Sequence, residues 1–331
     1  MNYRIFVSTC LVVLLVISPV LAWNDHGHSV IASLAFHRME PAKRLAVANR
    51  IGKHPRFAED FLEKMPGTVR SADPQVQAEW IFQMAACWPD YARGLPEAEK
   101  EKYNHSTWHY INKVEYLQPA DEEVMGAIDI NQSVVPPAQQ VEAMNAVQAI
   151  EFARLRVSGQ VQVTPEQDAI MLCWLLHLYA DLHQPLHSTA MYSQNLFPAG
   201  CRGGNRIPTK QGGNLHAFWD NLLGVGLGPI DGGGFLDCQQ QAMAMLETKQ
   251  QMGRWAIEDL SVEAVWTESN LNYRAAGCAA EVKAHLVRLE AARENVVPEY
   301  DLPPRYIRFA QQTAKNCAVR AGFRLGEVLN Q

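Results

Sequence analysis

Apolar side chains recur at intervals of three and four through six stretches, 28–39, 76–87, 138–156, 166–182, 238–258 and 305–329, the spacing of one helix face. The fourth stretch is the best bounded. Thr164-Pro165-Glu166 supplies a cap and a first-turn proline, and Pro185 ends the run. The Pro- and Gly-rich stretches 198–213 and 224–234 read as long loops. Sustained alternation of apolar and polar positions is scarce, so the pattern predicts an all-α chain with no sheet of consequence. No repeat, low-complexity tract or linker divides it, and one compact helical domain over 23–331 is the simplest account. Ahead of that domain, Arg4 precedes an apolar run from Cys10 to Val20, which closes on Val20-Leu21-Ala22. Residues 1–22 therefore read as a cleaved secretory signal, its apolar run too short for a membrane span. The expected location is the periplasm or the medium, with no stable membrane association.

Composition narrows the function classes. Of 331 residues, 48% are hydrophobic and 19% charged, which provides for a large core and excludes wholesale disorder. Lys and Arg total 29 against 35 Asp and Glu, a net charge of −6. The signal holds one Arg and no acid, so its removal makes the balance slightly more negative. That balance argues against a protein that grips nucleic acid by a basic surface alone. Beyond Cys10 the cysteines are Cys87, Cys173, Cys201, Cys238, Cys278 and Cys317, an even set that permits up to three disulfides in an oxidising compartment. None stands in a C-x-x-C spacing, which counts against a cysteine zinc site. Asn104-His105-Ser106 and Asn131-Gln132-Ser133 are glycosylation sequons.

The chain has 11 His and 8 Trp, and their positions carry the chemistry. In WLLHLYADLHQPLH, His177 and Asp181 lie four apart on one helix face, and His187 follows the break at Pro185. A second His-x-x-x-Asp pair, His216 and Asp220, stands in NLHAFWD. Imidazole and carboxylate donors in such pairs suit zinc. One pair alone would more often be a surface His–Asp contact; two, set in Trp- and Leu-rich sequence, are not read that way. CWPDYAR adds Asp90, just beyond a helix, and Arg93; STWHYIN adds His109. Cleavage after Ala22 frees the amine of Trp23, whose pKa of about 8 lets it be neutral and bind metal. The Trp23 carbonyl could close the chelate, and His28 is the next donor along. His183 falls on another face of its helix and is at best a supporting residue.

Taken in order, the N-terminal WNDHGH, then WPD, WHYIN, HLYADLHQPLH, GGN and NLHAFWD resemble the zinc-dependent single-strand nucleases of the S1/P1 type. Zinc-dependent phospholipases C are more distant members of the same superfamily. The resemblance covers roughly residues 23–220 by motif, and the rest only as helical sequence. It implies an all-α fold with a cleft holding three Zn2+ ions. Asp90, His109, His177 and Asp181 would hold the first zinc. Trp23, His28 and the other oxygen of Asp181 would hold the second, and His187, His216 and Asp220 the third. It further implies that the paired zincs, bridged by Asp181, acidify the attacking water. The third zinc would stabilise the leaving oxygen, and Arg93 would neutralise the phosphoryl oxygens. A trinuclear zinc cleft would let an acidic chain attract phosphate.

The resemblance also places substrate contacts. Tyr110 would stack on a nucleobase and Asn112 would hydrogen-bond its edge; the fungal enzymes have Asp where Asn112 stands. Asn205 in GGN matches a substrate-pocket position. The loop between His187 and Gly203 is longer than the fungal one, and Tyr192 and Phe197 on it are, from this sequence alone, candidates for a second wall. The expected function is hydrolysis of single-stranded DNA and RNA to 5′-phosphorylated products, with 3′-nucleotidase action on nucleotides. Two alternatives stand beside it. A zinc phospholipase C would have Glu in place of Asp220, and a non-catalytic zinc-binding protein would leave Arg93 without purpose.

Overall fold

A computed structural model describes residues 23–331 apart from 138, 227, 231, 252–256, 258 and 279; the secretory signal lies outside the described residues. The chain is mostly helical. It begins with α1 (Asp25–Arg38), α2 (Pro41–Ile51), the single turn α3 (Gly67–Arg70) and α4 (Pro74–Tyr91). Short helices α5 (Glu97–Tyr103) and α6 (Pro119–Met125) precede α7 (Ala146–Val157) and α8 (Pro165–His183). After the turn α9 (Pro185–Ser188) and α10 (Leu215–Asp220) come α11 (Gly232–Gln251), α12 (Val262–Asn272), α13 (Ala280–Ala291) and α14 (Pro304–Asn330).

Two helices form the centre, and their sequences explain why. Every residue of α1 from His26 to Phe36 is buried, as is every residue of α8 from Met171 to His183, the pattern of a helix enclosed on all sides. α8 starts as its sequence predicts: Thr164 Oγ1 accepts from Gln167 N, and the Gln167 side chain accepts from Thr164 N. α4, α7 and α14 pack on α8, and α4, α11 and α14 pack on α1. α14 approaches α1 closely because Gly322 faces Leu34, where a Cβ would stand 2.4 Å from the Leu34 Cβ.

Two features depart from the hydropathy reading. α11 begins at Gly232, inside the glycine-rich stretch 224–234 expected to be loop. Strand β1 (Lys113–Tyr116) pairs in parallel with β2 (Thr189–Tyr192), and a second pair joins β3 (Pro208–Thr209) to β4 (Gly213–Asn214). The first pair is short but consequential. It ties the segment after His109 to the segment after His187, and Ile111 N donates to His187 O at 2.9 Å. The six cysteines considered for disulfides are all buried free thiols, so none of the permitted pairings is formed among the described residues. A thiol is a small apolar group and is at home in such cores.

Candidate metal centre

The ends of α1, α4 and α8, with the turns that follow, converge on one buried cluster. α8 contributes His177 and Asp181, one turn apart and both fully buried. α1 contributes His28, whose ring stacks on His177 at 4.0 Å between centroids. Asp90 comes from the last turn of α4 rather than from beyond a helix, because that helix continues through Pro89. The Ala86 carbonyl of the same helix accepts from His177 Nδ1 at 2.7 Å. His109 arrives on a single 3-10 turn, Ser106–His109. His187 sits on α9, and His216 and Asp220 one turn apart on α10.

Donor atoms of these residues gather in three buried groups, each within 4.8 Å: His28 with Asp90 and His177, His109 with His177 and Asp181, and His187 with His216 and Asp220. In the second group the spacing itself is informative. His109 Nδ1 is 2.9 Å from both Asp181 Oδ2 and His177 Nε2, and the last two are 3.1 Å apart. Three such atoms cannot all be satisfied by protons shared among themselves. Ligands around a tetrahedral zinc, each about 2.0–2.1 Å from the ion, stand about 3.3 Å from one another. His28 Nε2 also lies 3.3 Å from Asp181 Oδ1, so the two oxygens of Asp181 face different histidines.

Three rings are oriented from behind. His177 Nδ1 meets Ala86 O, His187 Nδ1 meets His109 O at 2.5 Å, and His216 Nδ1 meets Gly203 O at 2.7 Å. A carbonyl only accepts, so each Nδ1 carries the proton and each Nε2 is turned towards the cluster, as in metal-ligating histidines. Other buried atoms, including His28 Nε2, Asp90 Oδ2, Asp181 Oδ1 and His187 Nε2, make no hydrogen bond. Leaving such groups unsatisfied costs about 1–3 kcal/mol each, a cost that bound cations would offset. The donor set of imidazole nitrogen and carboxylate oxygen fits zinc.

The carboxyls of the cluster are shifted in opposite directions, and against the effect of burial Asp181 and Asp90 raise the pKa of His177 between them. Burial pushes the Asp220 carboxyl well above its usual range, although Gln184 Nε2 donates to it at 2.8 Å. Burial also works against Asp181, but His177 and the surrounding imidazole contacts outweigh it and hold the carboxyl well below its usual range. Burial lowers the pKa of His28, His109 and His187, His109 to about 4, which keeps them neutral. Arg93, on the 3-10 turn after α4, reaches Asp90 Oδ1 with Nη2 at 2.8 Å.

Trp23 is fully buried, with its Nε1 donating to Ala180 O at 3.0 Å, next to Asp181. The backbone N of Asn24 donates to Asp220 O at 3.3 Å. The start of the domain is thus anchored to α8 and α10. Tyr110 and Asn112 flank Ile111, the residue bonded to His187, and both are half-buried. Asn112 has φ +52°, a region Asn tolerates better than most residues. Asn205 donates from Nδ2 to Arg202 O at 2.7 Å and closes its own turn. Phe197 is buried in the core, and Tyr192, 8% exposed, lays its ring against Gly200. His183 is buried on another face, between Tyr179 O at 2.6 Å and Arg324 Nη1 at 2.8 Å.

Three supporting residues escaped the sequence reading. Gln184 holds Asp220, and the Gly203 carbonyl holds His216; both sit in motifs already noted, HLYADLHQPLH and GGN. Asp25 Oδ2 accepts from Tyr91 Oη at 3.0 Å, and burial pushes its carboxyl up to about 6; nothing in the local sequence marks that pair.

A search among curated proteins gives no match. The family described as S1/P1 nuclease matches residues 23–331, the whole of the described chain and the metal-ligand groups within it. The chain belongs to the S1/P1 nuclease family.

Proposed function

We propose that the protein is an exported zinc-dependent endonuclease that hydrolyses phosphodiester bonds of single-stranded DNA and RNA to 5′-phosphorylated products, with 3′-nucleotidase action at the same centre. Family membership gives the coarser statement, a nuclease acting on nucleic acid. The observation that carries the finer reading is the convergence of His109, His177 and Asp181 donors beside two further buried groups. Asp90, His109, His177 and Asp181 would hold one zinc. Trp23, His28 and Asp181 would hold another, and His187, His216 and Asp220 a third. Bound zinc supplies Lewis acidity to the phosphodiester and to water.

The protein's own groups do the rest. Arg93, held by Asp90, offers a fixed cation to phosphoryl oxygens as charge builds on them. Tyr110 offers a ring for base stacking, Asn112 an amide that both donates and accepts, and Asn205 a turn at the rim of the third group. Export is supported by the sequence of residues 1–22 and by the family, whose members are typically secreted. No described helix is long and apolar enough to cross a membrane.

The test is direct. Protein beginning at Trp23 should contain three zincs per chain by metal analysis and should cut single-stranded DNA and RNA oligonucleotides, leaving 5′-phosphates. One zinc or none would undo the trinuclear assignment. Hydrolysis of phosphatidylcholine with both oligonucleotides left intact would replace the nuclease reading by the phospholipase one.

A further inference from the structure

A second cavity, of about 460 Å³, opens between the C-terminal end of α7, the start of α8 and the segment 102–105. Its size falls within the usual range for small-ligand sites, about 300–1,000 Å³. The composition of its wall is selective. Lys102, Arg156 and His105 line it together with Tyr103 and Phe152, and no acidic residue does. The guanidinium of Arg156 lies over the Phe152 ring at 3.2 Å from its centroid, and Lys102 Nζ lies over Tyr103 at 4.7 Å. Neither cation has a carboxylate partner among the described residues. A neighbouring cavity shows the contrast: there Arg50 is paired with Asp168 and Arg154 with Glu151. Cations laid on aromatic faces, with no carboxylate in ion-pair contact, suit a ligand that is both anionic and planar.

The cavity is also joined to the metal centre. The His105 ring stacks on Trp108 at 4.0 Å, Trp108 meets Trp174 edge-on at 4.9 Å, and Trp174 meets His109 at 5.3 Å. His105 also meets Trp174 directly, at 5.5 Å, so by that route one indole separates this wall from a proposed zinc ligand. We infer that the cavity lined by Lys102, His105, Phe152 and Arg156 is a nucleotide-binding site outside the metal cleft, taking the phosphate on its cations and the base on its aromatic surface. The inference rests on the nuclease reading for its ligand. The nucleotide is either one unit of the substrate strand or a free 5′-mononucleotide.

The experiment compares zinc-loaded wild-type protein with Lys102→Glu/Arg156→Glu. The probes are single-stranded oligothymidylate of about twenty residues, the dinucleotide dTpdT, and radiolabelled 5′-dTMP in equilibrium dialysis. Occupation by the strand predicts that the variant's KM for the oligomer rises about tenfold while dTpdT turnover is unmoved. Occupation by a free nucleotide predicts unchanged oligomer kinetics and the loss of one 5′-dTMP binding event. No change in either, or an equal loss on oligomer and dinucleotide, overturns the inference. Lys102→Glu alone, at an exposed position, serves if the double variant fails to fold. If wild-type protein cuts neither substrate, it is the nuclease reading that fails, and the 5′-dTMP dialysis still decides the cavity.

Discussion

At the scale of single residues, the third donor group depends on an atom that is not in a ligand side chain. Gly203 has φ +56°, and a Cβ there would stand 2.3 Å from Leu186 O and 3.2 Å from His216 Nδ1. Only glycine lets its carbonyl reach that ring. Gly203→Ala should therefore turn His216 aside, lowering zinc affinity at the third group and activity by about 10–100-fold, as loss of an orienting partner does; full zinc occupancy in the variant would show the contact to be incidental. Arg93 has a different signature. Arg93→Ala should keep its zinc and lose about 100-fold in kcat, so loss of metal together with rate would make Arg93 a structural residue. Residues of these two kinds were unequally legible in the sequence. His177, Asp181, His216 and Asp220 announce themselves because the four-residue spacing of a helix is local. Gln184 and Tyr91 act through partners 36 and 66 positions away, and no local pattern records such a distance.

Elements bring these residues together, and here two helix ends matter most. α1 sits between α4, α11 and α14, with Trp23 buried just ahead of it, so the start of the domain is held against α8 and α10. Retaining an extra residue before Trp23 should abolish activity by blocking the terminal amine, while the fold survives by circular dichroism; full activity in the extended protein would remove Trp23 from the ligand set. On the far side of α1, Gly322→Ala should cost about 1–3 kcal/mol through overpacking against Leu34, seen as a lower denaturant midpoint with unchanged zinc. The long periodic helices α4, α8 and α14 were readable from the apolar spacing, since each buries a wide face. α2, α12 and α13 were not, because their buried positions are few and their sequences largely polar. The glycines that open α11 look like loop and fold as helix because α11 packs against α1 and α14, a tertiary decision that outweighs propensity.

For the molecule as a whole, net charge and buried charge point in different directions. The surface is acidic overall, with a net charge of −6 over the full sequence, whereas the cluster joins Asp90, Asp181 and Asp220 in the interior and calls for cations. Chelation should therefore remove activity and lower the melting temperature together, since a metal bound only by the folded chain stabilises it. Acid should act on the fold through a second route that bypasses the metals. Burial lowers the pKa of His54 to about 4, against an ordinary 6.5, in a cage formed by Trp88, Phe61 and Tyr103. Because the folded ring resists protonation, the unfolded chain binds more protons below pH 6.5. The stability tied to His54 is thus complete above pH 6.5 and is lost as pH falls from 6.5 towards 4, up to about 3 kcal/mol. His54→Phe removes that titration while keeping an aromatic ring in the cage. Denaturant unfolding of chelator-treated protein across that range should fall less steeply in the variant by a similar amount. Parallel profiles would mean that the ring is not held neutral by its cage, and that acid reaches the fold through other groups.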